Sequence, residues 1–130
     1  MFVTGEFGFA VSVVDVASRK VVKTIDLPAG QNGTLPARPM GAVLSADGST
    51  LYVSNGRGRS VAAIDVATRS VTRTYADVGE RPWGIGLSPD GKTLYTANGP
   101  GADVSLIDVA TGTVKKIATE GSPWGIVVSR

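Results

Sequence analysis

The sequence predicts an all-β chain built from β-propeller blades, each a sheet of four short antiparallel strands. Three observations support this fold class: one unit recurs three times, turn residues return at regular intervals, and no segment has the 3.6-residue apolar period of an amphipathic helix. Glycine and proline are frequent, with 17 Gly and 7 Pro in 130 residues, as tight turns require. Four antiparallel strands in every 40 or so residues are typical of propeller blades.

The repeated unit is defined by residues that keep their spacing from one copy to the next. An aromatic residue is followed thirteen positions later by Asp and six positions after that by Val, in the sets Phe2, Asp15, Val21; Tyr52, Asp65, Val71; and Tyr95, Asp108, Val114. A Pro, a large apolar residue and a Gly recur at 39–41, 82–84 and 123–125. This periodicity predicts units at about 1–38, 39–81 and 82–122, with 123–130 as an inner strand that completes a blade.

The third unit shows how one blade is expected to form. An apolar, glycine-rich inner strand is predicted at 84–88, followed by strands at 93–97, 104–107 and 113–117. Asp90-Gly91 is expected to form a tight hairpin turn after the inner strand, and Asn98-Gly99 is expected to form a turn after the second strand. The last strand alternates apolar and polar residues, as an outer strand with one solvated face should.

Several of these motifs resemble the YVTN family of β-propeller repeats over the whole chain. They are Tyr-Val-Ser-Asn at 52–55, Ser-Pro-Asp-Gly at 88–91, the Pro-Trp-Gly triplets at 82–84 and 123–125, and Val-Ser-Leu-Ile-Asp at 104–108. The resemblance implies an exported or cell-surface parent with more than three blades, in a binding or scaffolding role. It also implies a looser relation to lactonase-like propellers and to propellers that hold haem d1.

Three blades are too few to close a ring, because known rings have about four to eight. The unit boundaries place the second strand of a blade at Phe2 and the first strand of another at 125–129. We therefore expect a head-to-tail homo-oligomer in which residues 126–128 of one copy pair with residues 2–4 of the next. A six-bladed homodimer is favoured over a nine-bladed homotrimer. The alternative is that the chain is a piece of a longer propeller.

Composition excludes several function classes. The chain has no His and no Cys, which removes disulfides, thiol nucleophiles, His-based triads and His-ligated haem. The net charge of +2 gives no reason to expect a nucleic-acid partner, and no apolar run approaches the roughly 18 residues of a membrane span. The first residues lack the basic start and apolar core of a signal peptide. No cofactor is expected.

The function predicted from these observations is a non-catalytic binding or scaffold module. Two alternatives remain open at this stage. One is a lactonase-like or cofactor-holding enzyme fragment, which would have to work with Arg, Asp and Glu alone. The other is a purely structural surface-layer fragment.

The candidate ligand site is the mouth of the central channel. Met40, Trp83 and Trp124 each stand between a Pro and the Gly of an inner strand, where large side chains either seal neighbouring blades or stack on a ligand. Four arginines are expected on loops of the same face, where a guanidinium can bind a carboxylate or phosphate or remain a solvated charge. They are Arg38, Arg57, Arg59 and Arg81. The expected ligand is a small molecule or a peptide.

Two further features are expected to serve structure or specificity. The repeated Asp15, Asp65 and Asp108 end strands before turns, and Asp47 and Asp90 lie in hairpin turns. All five are predicted to accept backbone N–H bonds rather than to do acid–base work. An insertion around residues 31–36 lengthens one loop, which is either a specificity element or a neutral extension.

Overall fold

Three antiparallel sheets make up the chain in a computed structural model that describes residues 1–30 and 33–129. Each sheet connects its strands in sequence order. The first sheet consists of β1 (Phe2–Gly5), β2 (Ala10–Asp15) and β3 (Lys20–Asp26). The second consists of β4 (Pro39–Leu44), β5 (Thr50–Asn55), β6 (Ser60–Asp65) and β7 (Ser70–Tyr75). The third consists of β8 (Pro82–Leu87), β9 (Thr93–Asn98), β10 (Asp103–Asp108) and β11 (Val114–Ala118).

The all-β class and the antiparallel four-stranded units are confirmed. The first sheet has three strands and no inner strand, as the position of Phe2 within its unit predicts. Short 3-10 helices lie at Glu6–Gly8 and at Gly99–Gly101, each after the second strand of its unit. Gln31 and Asn32 of the insertion lie outside the described residues.

The chain turns at Asn98-Gly99 as predicted, but the turn is a 3-10 helix at Gly99–Gly101 rather than a two-residue Asn-Gly turn. Asn98 ends β9, and its buried amide donates to Ser105 Oγ at 2.8 Å and to Asp103 Oδ1 at 2.5 Å. The chain then turns through the 3-10 helix and leaves it at Ala102, which adopts a left-handed φ of 49°. The side chain of Asn98 is therefore committed to the neighbouring strand and is not available to the turn.

Residues 123–129 form no strand in the single chain, in contrast to the predicted inner strand. The segment nevertheless packs closely along β8, where two glycines make room for it. A Cβ at Gly84 would lie 2.8 Å from the Trp124 carbonyl oxygen, and one at Gly86 would lie 3.0 Å from Val128 Cγ2. The segment thus occupies the place of the next inner strand, and no described residue of this chain pairs with it as a strand.

Sheets pack face to face, and the middle sheet is covered on both sides. Between the first and second sheets lie Val11, Val13, Ile25, Leu51, Val53, Ala62 and Ile64. Between the second and third lie Tyr52, Val61, Ala63, Tyr75, Leu94 and Ile107. Because successive strand residues point to opposite faces, Tyr52 faces the third sheet while its neighbours Leu51 and Val53 face the first.

Each of the two outer sheets leaves one face uncovered. The exposed fractions of side chains at equivalent positions of the repeat show this. Val53 is fully buried, whereas Val3, its counterpart in the first sheet, is 44% exposed. Ile25 and Tyr75 are buried at 5% and 4%, whereas Ile117, their counterpart in the third sheet, is 54% exposed. The accessible surface of 7040 Å² exceeds the roughly 6,450 Å² expected for a compact protein of this mass.

The two uncovered surfaces are the leading face and the trailing face. The leading face belongs to the first sheet and consists of Met1, Val3, Val14 and Val21. The trailing face belongs to the third sheet and consists of Tyr95, Val104, Leu106 and Ile117. In the part of the chain that the structure describes, no helix is long and apolar enough to cross a membrane.

Replacing Leu94 by Ala should destabilise the fold strongly, because Leu94 is fully buried between the second and third sheets. We expect a loss of about 2–5 kcal/mol in the free energy of unfolding, measured by urea denaturation. Leu44→Ala is the matched control, since Leu44 is 47% exposed and should cost far less. Equal losses for the two variants would contradict this account of the core.

Candidate functional site

A concave cavity of about 520 Å³ lies between the end of β1, the inner strands β4 and β8, and residues 124–126. Its wall includes Thr4, Glu6, Met40, Trp83, Trp124 and Ile126. The structure therefore brings together Met40, Trp83 and Trp124, the three residues that the sequence analysis placed at the channel mouth. The cavity also includes Glu6, from the 3-10 helix that follows β1.

Hydroxyl groups join neighbouring sheets just behind this wall. Thr4 Oγ1 donates to the Met40 carbonyl at 2.7 Å, and Ser54 Oγ donates to the Trp83 carbonyl at 3.0 Å. The same position of the third unit holds Ala97, which has no hydroxyl to offer the Trp124 carbonyl. The backbone that carries Trp124 is accordingly fixed by packing on β8 rather than by this bond.

Met40 and Trp83 lie across two glycines that begin the loop after the second strand of their sheets. A Cβ at Gly56 would lie 3.2 Å from Met40 Cγ, and one at Gly99 would lie only 2.3 Å from Trp83 Cζ3. Glycine is therefore needed beneath the Trp83 ring. The corresponding residue of the first unit is Glu6, which was detectable from the sequence as a charged residue where the other two units have Gly.

The two indoles of the cavity are in contact but differ in exposure. Their ring centroids lie 4.9 Å apart and their planes are inclined by 44°. The guanidinium carbon of Arg81 lies 5.3 Å from the Trp83 ring centroid. Trp124 is 71% exposed, so it offers the larger free aromatic surface.

The four candidate arginines have different environments. Arg38 lies between Phe7 and Phe9, with its guanidinium carbon 4.8 Å from each ring, and its Nε and Nη1 are buried without a hydrogen-bond partner among the described residues. Arg59 pairs with Glu80 at 3.8 Å beside a second cavity of about 360 Å³. Arg57 is exposed. Arg81 is the member of the set that contacts an aromatic residue of the main cavity.

The repeated aspartates have the structural role that their positions predict. Asp65 accepts the Thr68 backbone N–H at 2.6 Å, and Asp108 accepts that of Thr111 at 2.7 Å. These backbone hydrogen bonds favour the charged carboxylate and lower the pKa of both groups. The backbone N–H of Ala17 donates to Asp15 and lowers its pKa for the same reason. Each carboxylate is thus used to close the turn after its strand.

Asp47 and Asp90 close the other hairpin turn of their units. Ser45 Oγ donates to Asp47 at 2.6 Å, and this bond together with those from the backbone and hydroxyl of Ser49 lowers the pKa of that carboxyl to about 2. Ser88 Oγ is the main donor that lowers the pKa of Asp90. The glycines that follow, Gly48 and Gly91, take φ values of +71° and +72°. Across residues 1–30 and 33–129, no three Asp or Glu side chains gather into a group that could hold a metal ion.

Solved structures show the same arrangement of sheets. The hydrazine synthase of Kuenenia stuttgartiensis is 27% identical, with a TM-score of 0.79, over 94% of this chain and 33% of that one. A functionally unknown protein from Desulfotomaculum acetoxidans DSM 771 is 19% identical, with a TM-score of 0.69, over 93% of this chain and 38% of that one. The chain thus spans about a third of the first protein and 38% of the second.

No protein-family model and no curated protein sequence matches the chain. The resemblance to YVTN repeats therefore rests on the motifs quoted above. The three face-packed antiparallel sheets and the likeness to solved structures fit a propeller-like fold.

The stability of the protein should fall when the pH drops from about 5 to about 2. A carboxyl whose pKa is lowered by folding stabilises the folded state fully at pH values above its unfolded pKa, which is near 4. The stabilisation is lost as the pH falls through the pKa of the folded state, which is about 2 for Asp47. Urea midpoints measured across this range test the direction. Ser45→Ala, which removes a donor to Asp47, should reduce the difference between pH 5 and pH 2.

Ser70→Ala is the matched control, because its hydroxyl donates to a backbone carbonyl rather than to a carboxylate. Its urea midpoints should follow the parent protein at every pH. The interpretation fails if Ser45→Ala and Ser70→Ala show the same acid dependence.

Proposed function

We propose that the protein is a β-propeller binding or scaffold module that completes its ring with a second copy and holds a small ligand or peptide against its concave wall. The observation that carries this proposal is the pair of uncovered apolar faces on the two outer sheets. Exposed apolar surfaces of this kind mark interaction sites, and a partner is needed to cover both.

The two faces are suited to each other because they reproduce the partners of the internal junctions. The trailing face holds Val104 and Leu106 where the middle sheet presents Val61 and Ala63 to its neighbour. The leading face holds Val3 where the middle sheet buries Val53. A second copy that meets the trailing face with its leading face would therefore repeat a junction that this chain already forms twice.

Unpaired backbone edges at the two ends of the chain also favour head-to-tail pairing with a second copy. β1 pairs with β2 alone, so its other edge is free, while residues 126–128 lie beside β8 without a strand partner. Unpaired edges template pairing with another chain. Pairing residues 126–128 with β1 of a second copy supplies the missing inner strand. Two copies give six sheets, within the usual range of about four to eight, and three copies give nine.

The concave wall supports the binding role. Two indoles and the Met40 side chain give it an apolar, aromatic lining with few polar groups, which is the usual character of a ligand site. Ring closure would place two such walls around one channel. The role proposed for the wall is recognition and not catalysis.

Light scattering tests the assembly. The protein should have twice the 13.3 kDa mass of the chain, and Ile117→Asp should shift it to the single-chain mass by placing a carboxylate on the trailing face. Ala67→Asp is the control, because Ala67 is exposed in the turn between β6 and β7 of the middle sheet and belongs to neither open face. A folded parent protein of single-chain mass at high concentration would contradict the proposal.

Thermal denaturation with a small-molecule collection tests the binding role. A ligand of the concave wall should raise the melting temperature, and Trp124→Ala should abolish that increase. Phe7→Ala is the control, because Phe7 is 79% exposed and lies outside the cavity. An increase that persists in Trp124→Ala would place the ligand elsewhere.

A further inference from the structure

We infer that the concave cavity selects an organic cation, of the alkylated ammonium class, rather than an anion. This inference rests on the proposed function and names the ligand class of the same site. The observation that carries it is the chemistry of the lining: Glu6 supplies a carboxylate, Trp83 and Trp124 supply aromatic faces, and Met40 supplies a thioether. Among residues 1–30 and 33–129, no Lys or Arg lines the cavity.

An alkylated ammonium ion matches each of these groups. Its charge is attracted to the negative faces of indole rings and to a carboxylate, and its alkyl groups bury apolar surface against Met40 and Ile126. A quaternary ion has no N–H, so it requires no hydrogen-bond acceptor beyond the Glu6 charge. An anion would meet the Glu6 carboxylate and the same negative ring faces, and both would repel it.

One of the two indoles, that of Trp83, already contacts a cation of the protein itself. The Arg81 guanidinium lies over Trp83, at 5.3 Å from the ring centroid. Trp124 has no such partner among the described residues and is 71% exposed. Its free face is thus the place for an external cation, and the charge of Arg81 nearby opposes that cation.

The position of Glu6 in the repeat strengthens the assignment. In the other two units the equivalent residues are Gly56 and Gly99, which lie beneath Met40 and Trp83. Ring closure would bring Trp124 to Glu6 of a second copy in the same relation. A Cβ does not fit beneath a ring placed as Trp83 is, since the separation would be 2.3 Å. The Trp124 indole must therefore stay turned toward the channel, beside a carboxylate.

Isothermal titration calorimetry of the assembled protein tests this inference with three probes of different charge. They are tetramethylammonium chloride, the neutral isostere neopentyl alcohol, and sodium benzoate, at equal ionic strength. We expect saturable binding of tetramethylammonium alone. Glu6→Gln should weaken it about fivefold or more, and Arg81→Gln should strengthen it by removing a competing positive charge.

Glu120→Gln is the matched control, because Glu120 is an exposed carboxylate outside the cavity and its replacement should leave the affinity unchanged. If Glu6→Gln does not fold, Glu6→Gly provides the same comparison with the residue of the other two units.

The inference is overturned if tetramethylammonium does not bind, if the neutral or anionic probe binds as tightly, or if Glu6→Gln and Glu120→Gln have the same effect. Binding of benzoate to a chain of double mass would overturn the ligand class while the binding module stands. A single-chain mass by light scattering would instead contradict the proposed assembly.

Discussion

The alternation of side chains along each strand is the constraint on which this structure depends. It gives every sheet two apolar faces, and a sheet buried on one face alone leaves several large side chains in water. Both faces of the middle sheet are buried within the chain, because Val53 faces the first sheet and Tyr52 faces the third. Each outer sheet has only one face buried. The arrangement of the cores, the two open faces and the proposed ring all follow from this feature.

Polar contacts at the ends of the strands fix how the sheets are placed around the cavity. Buried Asn55 donates to Ser60 Oγ at 3.1 Å and accepts from the Arg38 backbone, so the loop that enters β4 is tied to the loop that leaves β5. Buried polar groups with partners favour one arrangement over others. The wall that carries Met40 and Trp83 is thereby built on rigid backbone, which suits recognition of a ligand.

Much of the fold was predictable from spacing alone, because the repeat fixes which residues are equivalent. Strand order, the absence of an inner strand in the first sheet and the clustering of Met40, Trp83 and Trp124 were all expected from it. The turn at Asn98-Gly99 was predicted but its 3-10 form was not, because an Asn-Gly pair looks the same whether the Asn side chain faces the turn or a neighbouring strand. The packing of Arg38 between Phe7 and Phe9 joins residues about thirty positions apart, which no local pattern could predict.

The proposed ring implies that residues 126–128 become a hydrogen-bonded strand only when a second copy is present. Amide hydrogen exchange of Ile126, Val127 and Val128 measures this directly. At concentrations where the protein has double mass, these amides should exchange as slowly as those at 42–44 in β4, and they should exchange rapidly on dilution to single chains. Rapid exchange of the three amides at every concentration, while β4 stays protected, would contradict the account.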